Sequence, residues 1–416
     1  MCGRRMETTV TERKPVQAEE DVLRFVRLCL RGRWEPEALE AAHRLATRTE
    51  LDWAELVELA IGERLGSLLY EVVHGRNLVP PEVEEDLYGA RIDTALRDQF
   101  LREELVTILR RLATKGVEVL LLKGAALAQT VYGGAGVRPM GDLDFLLHRE
   151  DAPRALDLLG QAGYRRTSAE VHPGADLAYE NEVQLVRGGL VPFVVEVHWS
   201  LFDVPYYQQS LPMAWFWDSA LAIQIDNTPA RVLGPAAQVL HLCGHLVLHH
   251  GGERARLLWL HDVAEVLVHY RQQMDWQDLL DRAQQYRLVL PLQQVLPQLA
   301  DEWGAPIPAE ALSKLDALRP STTEMQVMGW RTASERPVAQ RFWSDLASMR
   351  SWRQRLHYAW IQLFPSAAYM SRRYGIRHRL LVPLYYPYRW WVGFSGACRA
   401  LLARRQPDAG PPATET

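Results

Sequence analysis

Residues 121–150 read LLKGAALAQTVYGGAGVRPMGDLDFLLHRE, and residues 191–199 read VPFVVEVHW. Asp142 and Asp144 lie two apart in the short apolar run GDLDFLL. Side chains in a strand alternate faces, so both carboxylates leave the same side. Leu143, Phe145 and Leu147 then point the other way, into a core. Glu196 is a third acid, set among β-branched residues in the second run. Two carboxylates on one strand and a third on its neighbour suit hard divalent cations. Mg²⁺ takes a few carboxylates together with phosphate oxygens and water. Paired metals stabilise in-line transfer at phosphorus. The pattern therefore predicts that Asp142 and Asp144 bridge two Mg²⁺ ions, one holding a triphosphate. The other, with Glu196, lowers the pKa of an acceptor hydroxyl. A solvated turn at a strand edge is the plainer reading of an Asp-x-Asp pair. The preceding glycine, the apolar strand and the third acid weigh against it.

The residues around the acids extend this reading. Lys123-Gly124 ends an apolar strand, Val117–Leu122, and precedes a helix. A glycine there lets backbone N–H groups approach a phosphate at a helix N-terminus. Lys123 is expected to meet a phosphate as a point charge, against the alternative of a lysine that reaches to solvent. Arg138, fixed by Pro139 just before the acids, suits bidentate phosphate binding. Neutralising the carboxylate cluster is an almost equal alternative for it.

The composition excludes several classes. The chain has 416 residues, 48% hydrophobic and 24% charged, with a net charge of −4. That is globular material for two or three domains. The charge balance does not suggest a dedicated nucleic-acid binder. The four cysteines, Cys2, Cys29, Cys243 and Cys398, are widely spaced, which predicts a reducing compartment and no cysteine-based zinc site. The opening MCGRRMETTVTERKPVQ lacks an apolar signal region, and no run approaches membrane-span length, so a cytoplasmic protein is expected. Only four residues are lysine, Lys14, Lys115, Lys123 and Lys314, which makes Lys123 more notable than any single arginine.

Periodicity divides the chain. Residues 1–17 read as a polar tail and 18–97 as helical. A core over 98–205 has the order α-β-α-β-α-β-β, beginning with a long helix over about 86–114 and a strand at 142–147. It ends in a hairpin of strands, 183–187 and 191–199, around Gly188-Gly189. Residues 206–300 read as a helical domain on the substrate side and 301–405 as further helices. Residues 406–416 read as a disordered tail.

Two further patterns stand apart. His241, His245 and His249 share a helix face, with His261-Asp262 downstream. A metal site of the HD phosphohydrolase kind is one reading, and helix-packing histidines are the commoner one. The aromatic run 380–394, LLVPLYYPYRWWVGF, permits a membrane-surface contact, although buried packing is commoner for such a run. Pro383 and Pro387 argue against a single clean helix there.

The order LLKG-A-A-L, then R-P-x-GDLDFLL, then a helix ending in Gly163-Tyr164, then VEVHW, resembles the bacterial uncharacterised nucleotidyltransferase family of the DNA polymerase beta-like superfamily. HLCGHLVLHH and RLLWLHDVAEVL are similar to its helical half, and the likeness spans about residues 50–300. The resemblance implies an α+β fold: a small mixed sheet with flanking helices, plus a helical substrate-side domain. By position Asp142 and Asp144 match the paired metal ligands and Glu196 the third acid. Lys123 and Gly124 stand where many superfamily members carry a glycine-serine turn for the triphosphate. Asp262 matches a recurrent acid. The expected activity is transfer of an NMP group, with AMP one candidate, from an NTP to an unidentified small-molecule, peptide or saccharide acceptor. A non-catalytic nucleotide-binding or regulatory protein on the same fold is the alternative.

Overall fold

The structure is a computed structural model, and it describes residues 15–133, 136–189, 191–250, 256–331, 338–349 and 351–403. Of the expected tails, 1–17 and 406–416, residues 1–14 and 406–416 lie outside the described residues, while 15–17 belong to the first helix. Five helices come first: α1 (Pro15–Arg31), α2 (Pro36–Arg48), α3 (Trp53–Gly62), α4 (Gly66–Val73) and α5 (Pro81–Ala113). Asp52 caps α3 by accepting from the Glu55 N–H, and Pro81 opens α5 where a missing N–H costs nothing. The core follows as β1 (Leu120–Leu121), α6 (Lys123–Thr130), β2 (Leu143–Leu146), α7 (Ala152–Gln161), β3 (Arg165–Arg166), α8 (Ala175–Tyr179), β4 (Glu182–Arg187) and β5 (Phe193–His198).

Short helices α9 (Pro205–Ser210) and α10 (Met213–Asp218) lead to a second hairpin, β6 (Leu221–Ile225) and β7 (Thr228–Val232). The sequence reading has only helix in this region. Asp226 and Asn227 both take positive φ, 46° and 59°, and form its two-residue turn. Short polar side chains tolerate that conformation, which matches strand twist. The hairpin is held because β7 adds to the sheet parallel to β1. Helices α11 (Pro235–His250), α12 (Leu257–His269), α13 (Trp276–Tyr286), α14 (Val289–Trp303), α15 (Ala309–Ala317) and α16 (Thr322–Arg331) form the second helical region. The chain closes with α17 (Val338–Ser348), α18 (Trp352–Leu363), α19 (Ala367–Tyr374) and α20 (Val382–Ala403).

The mixed sheet of seven strands runs in the order β3-β4-β5-β2-β1-β7-β6 and separates two cores. Leu121, Leu143, Phe145, Leu147, Val195 and Val197 pack on one face with α5 and α7. Leu120, Leu122 and Leu146 face the other core, shared by α1 to α4 and α11 to α16. The alternation is the one read from the sequence, and it directs the even-numbered side chains of β2 toward the helical half. At roughly 25 cal/mol for each Å² of apolar surface removed from water, these two cores carry the fold.

The C-terminal aromatic run departs from expectation. After a 3₁₀ turn at Arg379–Leu381 it forms one helix from Val382 with Pro387 inside it, and Leu380, Leu384 and Trp391 are 92%, 69% and 67% exposed. Pro383 sits in the first turn, where its lack of an N–H is harmless. No described helix is long and apolar enough to cross a membrane.

Candidate active site

Register brings the acids together. β2 runs parallel to β5 with Asp144 opposite Glu196 and Leu146 opposite His198. β4 lies antiparallel on the far side of β5, with Gln184 opposite Glu196 and Glu182 opposite His198. The two-residue period then places Asp144, Glu196, His198, Glu182 and Gln184 on one face. Asp142 lies one residue before β2, in a bend outside the ladder, where it feels the charges of Asp144 and Glu196. Asp144, Glu196 and His198 present atoms all within 4.8 Å of one another, and no other such trio of ligand atoms occurs among the described residues.

Lys123 lies inside this cluster. Its Nζ donates to Asp144 Oδ1 at 2.7 Å and to Glu196 Oε2 at 3.3 Å. It takes a left-handed φ of 44° at the start of α6, unusual for a residue with a Cβ. His198 Nε2 lies 3.2 Å from Asp144 Oδ1, and its Nδ1 lies 2.9 Å from Glu182 Oε2. Gln184 holds the remaining Glu196 oxygen with a 3.1 Å bond.

The charge states follow from this packing. Burial opposes charge on Lys123, but Asp144, Glu196 and Glu182 outweigh it and hold the ammonium above its ordinary range. Burial likewise opposes charge on His198, and Glu182, Asp144 and Glu196 reverse that, so the ring keeps its proton. Burial would raise Glu196, but bonds from His198 and the Lys123 charge hold it well below the usual carboxylate range. Asp142 is different. Burial, then Asp144 and Glu196, push it up to about 6.

Arg138, expected at a phosphate, is buried and committed elsewhere. Its Nε and Nη2 donate to the two oxygens of Asp262 at 2.9 and 2.7 Å, and Tyr132 Oη donates to Asp262 Oδ1 at 2.7 Å. Burial would lower its pKa, and Asp262 more than offsets this. Gly124 makes room for that guanidinium, since a Cβ there would stand 2.3 Å from Arg138 Nη1. The neutralising alternative for Arg138 therefore has a partner, although that partner is Asp262 rather than the three catalytic candidates.

The helical half supplies a histidine wall. His241 on α11 is buried and His245 half-buried, and desolvation, then the Lys123 charge, keep both well below their ordinary pKa. His250 stands 3.2 Å from His245 between their Nε2 atoms, and His249 accepts from the Asp203 N–H through Nε2. His261 packs against Trp34 and Trp303, and Asp262 is occupied by Arg138 and Tyr132. The described residues do not gather these histidines and Asp262 into one metal centre. That removes the geometric basis for HD-type chemistry.

The sequence reading missed His198 and Glu182. Both were accessible in principle, because His198 follows Glu196 by two and shares its face.

A model of the uncharacterised nucleotidyltransferase family matches residues 49–304. The chain belongs to that family. The match takes in the three acids, Lys123, Arg138 and both packing faces of the sheet. Among solved structures, the chain is similar to an antigenic nucleotidyltransferase-like protein from Paracoccidioides brasiliensis, at 14% identity and a TM-score of 0.34. That likeness covers 51% of this chain and 95% of the other. No curated protein matches the chain.

Proposed function

We propose that this nucleotidyltransferase-family protein moves an NMP group, with AMP one candidate, from an NTP to a hydroxyl or phosphate on a small-molecule, peptide or saccharide acceptor. The observation that carries the reading is the register of Asp144 against Glu196, with Asp142 two residues before Asp144 at the mouth of β2. In this reading the acceptor oxygen bonds to the α-phosphorus. The bond from the α-phosphorus to the α–β bridging oxygen breaks, pyrophosphate leaves with that oxygen, and a hydroxyl acceptor loses its proton to solvent.

The donor set fits a hard divalent cation: carboxylates on one rigid face, held by Gln184 and His198. Asp142, Asp144 and Glu196 would hold two Mg²⁺ ions, which would neutralise triphosphate oxygens and lower the pKa of the acceptor hydroxyl. His198 keeps its proton and orients Asp144, while Glu182 anchors the ring from its other nitrogen. Lys123 shares the carboxylates, and its ammonium would supply a point charge for a phosphate bound beside them. A cytoplasmic, bacterial setting belongs to the same proposal.

The position of Lys123 supports one alternative. Its ammonium already bridges Asp144 and Glu196, as an internal cation would in a protein that binds nucleotide without turning it over. Calorimetry with non-hydrolysable NTP analogues and Mg²⁺, followed by pyrophosphate release across an acceptor panel, separates the two. Transfer predicts release that Asp144→Asn abolishes, a loss of at least a thousandfold, with the thermal melt retained. Undiminished release in Asp144→Asn would rule out the assignment. Binding without release on every acceptor would favour the alternative.

A further inference from the structure

Lys123 and Arg138 are turned inward onto carboxylates, so the positive groups at the rim of this centre come from other elements. Arg64 follows α3 as its left-handed terminating residue, with φ 59°, where glycine is the usual choice. Its guanidinium rests on Gly141, the residue before Asp142: a Cβ on Gly141 would stand 2.9 Å from Arg64 Nη1. Arg97 on α5 donates to the carbonyls of Met140 and Gly141, both at 3.1 Å. Glu63 accepts from the Leu257 N–H at 2.6 Å, which ties the α3–α4 turn to the start of α12. That bond brings the residues next to each partner, Arg64 and Arg256, to one rim. Arg256 packs its guanidinium 5.6 Å from the centroid of the Trp259 ring.

Among the described residues no carboxylate forms an ion pair with Arg64, Arg97 or Arg256. Most exposed arginines are simply solvated, and the sequence has many. Arg64 and Arg97 differ in meeting one short segment, Met140-Gly141, and Arg64 in standing close enough to Arg256 and Arg97 to be repelled by both. Burial, then the charge of Arg256, lowers the Arg64 pKa; the Asp142 charge opposes this, and Arg97 and Arg138 add to the lowering. Like charges gathered beside a carboxylate site stabilise the free protein little and raise the local concentration of anions.

We propose that Arg64, Arg97 and Arg256 form an anion site at the rim of the acidic centre, recruited from the helical regions, which takes the phosphate chain of the nucleotide. This deepens the transfer reading and rests on it. Guanidinium groups bind phosphate oxygens through paired N–H donors, and Arg64 and Arg256, exposed and not committed to backbone carbonyls as Arg97 is, can do so. Arg97 fixes the segment that carries the acids.

The test is calorimetry on the full-length chain with inorganic tripolyphosphate and, separately, a non-hydrolysable ATP analogue with Mg²⁺. The proteins are the wild type, Arg64→Gln/Arg256→Gln, Asp142→Asn/Asp144→Asn, and an Arg44→Gln control on α2. The double arginine variant is expected to weaken tripolyphosphate binding at least tenfold, with the melt retained and the control unaffected. The single Arg256→Gln variant, at an exposed residue, is expected to lose about threefold by the same contact logic. A smaller loss in the double variant, unchanged affinity in the single one, or no tripolyphosphate binding by wild type overturns the site. Nucleotide binding lost only in the aspartate variant would end the arginine site and keep the transfer reading. Tripolyphosphate binding through the arginines without nucleotide binding would keep the site and end that reading.

Discussion

Two clusters of buried charge lie on the helical side of the sheet, and they are satisfied to different degrees. In one, Asp262 receives three hydrogen bonds, two from Arg138 and one from Tyr132, so a single anion meets a single cation with both oxygens bonded. In the other, Asp144, Glu182 and Glu196 share Lys123 and His198, and Asp142 adds a further acid within reach of their charge. Each buried charge costs several kcal/mol to desolvate, and matched geometry offsets that cost only where the pairing is complete. The first cluster is thus a joint between α12 and the strand lead-in. The second keeps a surplus of negative charge, and with it a capacity for further cations.

The contrast is broken most directly at the joint. Asp262→Ala leaves Arg138 buried without its partner and should destabilise the protein by about 3–5 kcal/mol in urea unfolding. Cation affinity at the acidic centre should stay within about twofold in the fraction that remains folded. A loss under about 1 kcal/mol would mean that water reaches Arg138 and that the joint is not one.

Lys123→Met tests the other side and should have a smaller effect on stability. The acids lose a counter-charge, which should cost the metal-free protein about 2 kcal/mol at neutral pH, within the range for charged hydrogen bonds. Divalent cations should then bind about tenfold more tightly, since no ammonium competes, and saturating Mg²⁺ should restore stability by linkage. Unchanged Mg²⁺ affinity would show that Lys123 and the cation occupy different places.

These tests also mark what the sequence disclosed. The facing of β2 and the pairing of its acids with Glu196 follow from a two-residue period and a run of apolar neighbours, both local signals. The family was carried by several short motifs in order. The partner of a charged side chain is not local. Lys123 meets Asp144 across 21 residues, and Arg138 meets Asp262 across 124. Nothing in a strand-end lysine or an Arg-Pro pair says which carboxylate it will find. The β6–β7 hairpin was legible as LAIQI-DN-TPARV, a polar turn between alternating residues, but the helical periods on either side masked it. The α20 helix escaped because two prolines suggest a break, whereas one of them falls in the first turn, where the rule does not apply.

The smallest effect is a pH profile, and Asp142 sets its sign. Its carboxyl rises from 3.8 to about 6, through burial first and then through Asp144 and Glu196. A carboxyl raised by folding holds an extra proton in the native state. Its stabilising contribution is present below about pH 4 and is lost as pH rises through about 6. Glu196, lowered by folding, acts in the opposite sense, contributing stability above its unfolded value and losing it as pH falls. The two overlap in wild type, so the useful quantity is the difference between wild type and Asp142→Asn. In metal-free buffer, wild type should lose stability relative to Asp142→Asn between about pH 4 and 6, and the difference should level off above that. Mg²⁺ should shrink it, because a bound cation replaces the proton that Asp142 gives up. Parallel profiles without metal would place Asp142 in solvent, away from the charge of Asp144 and Glu196. The acidic centre would then rest on Asp144 and Glu196 alone.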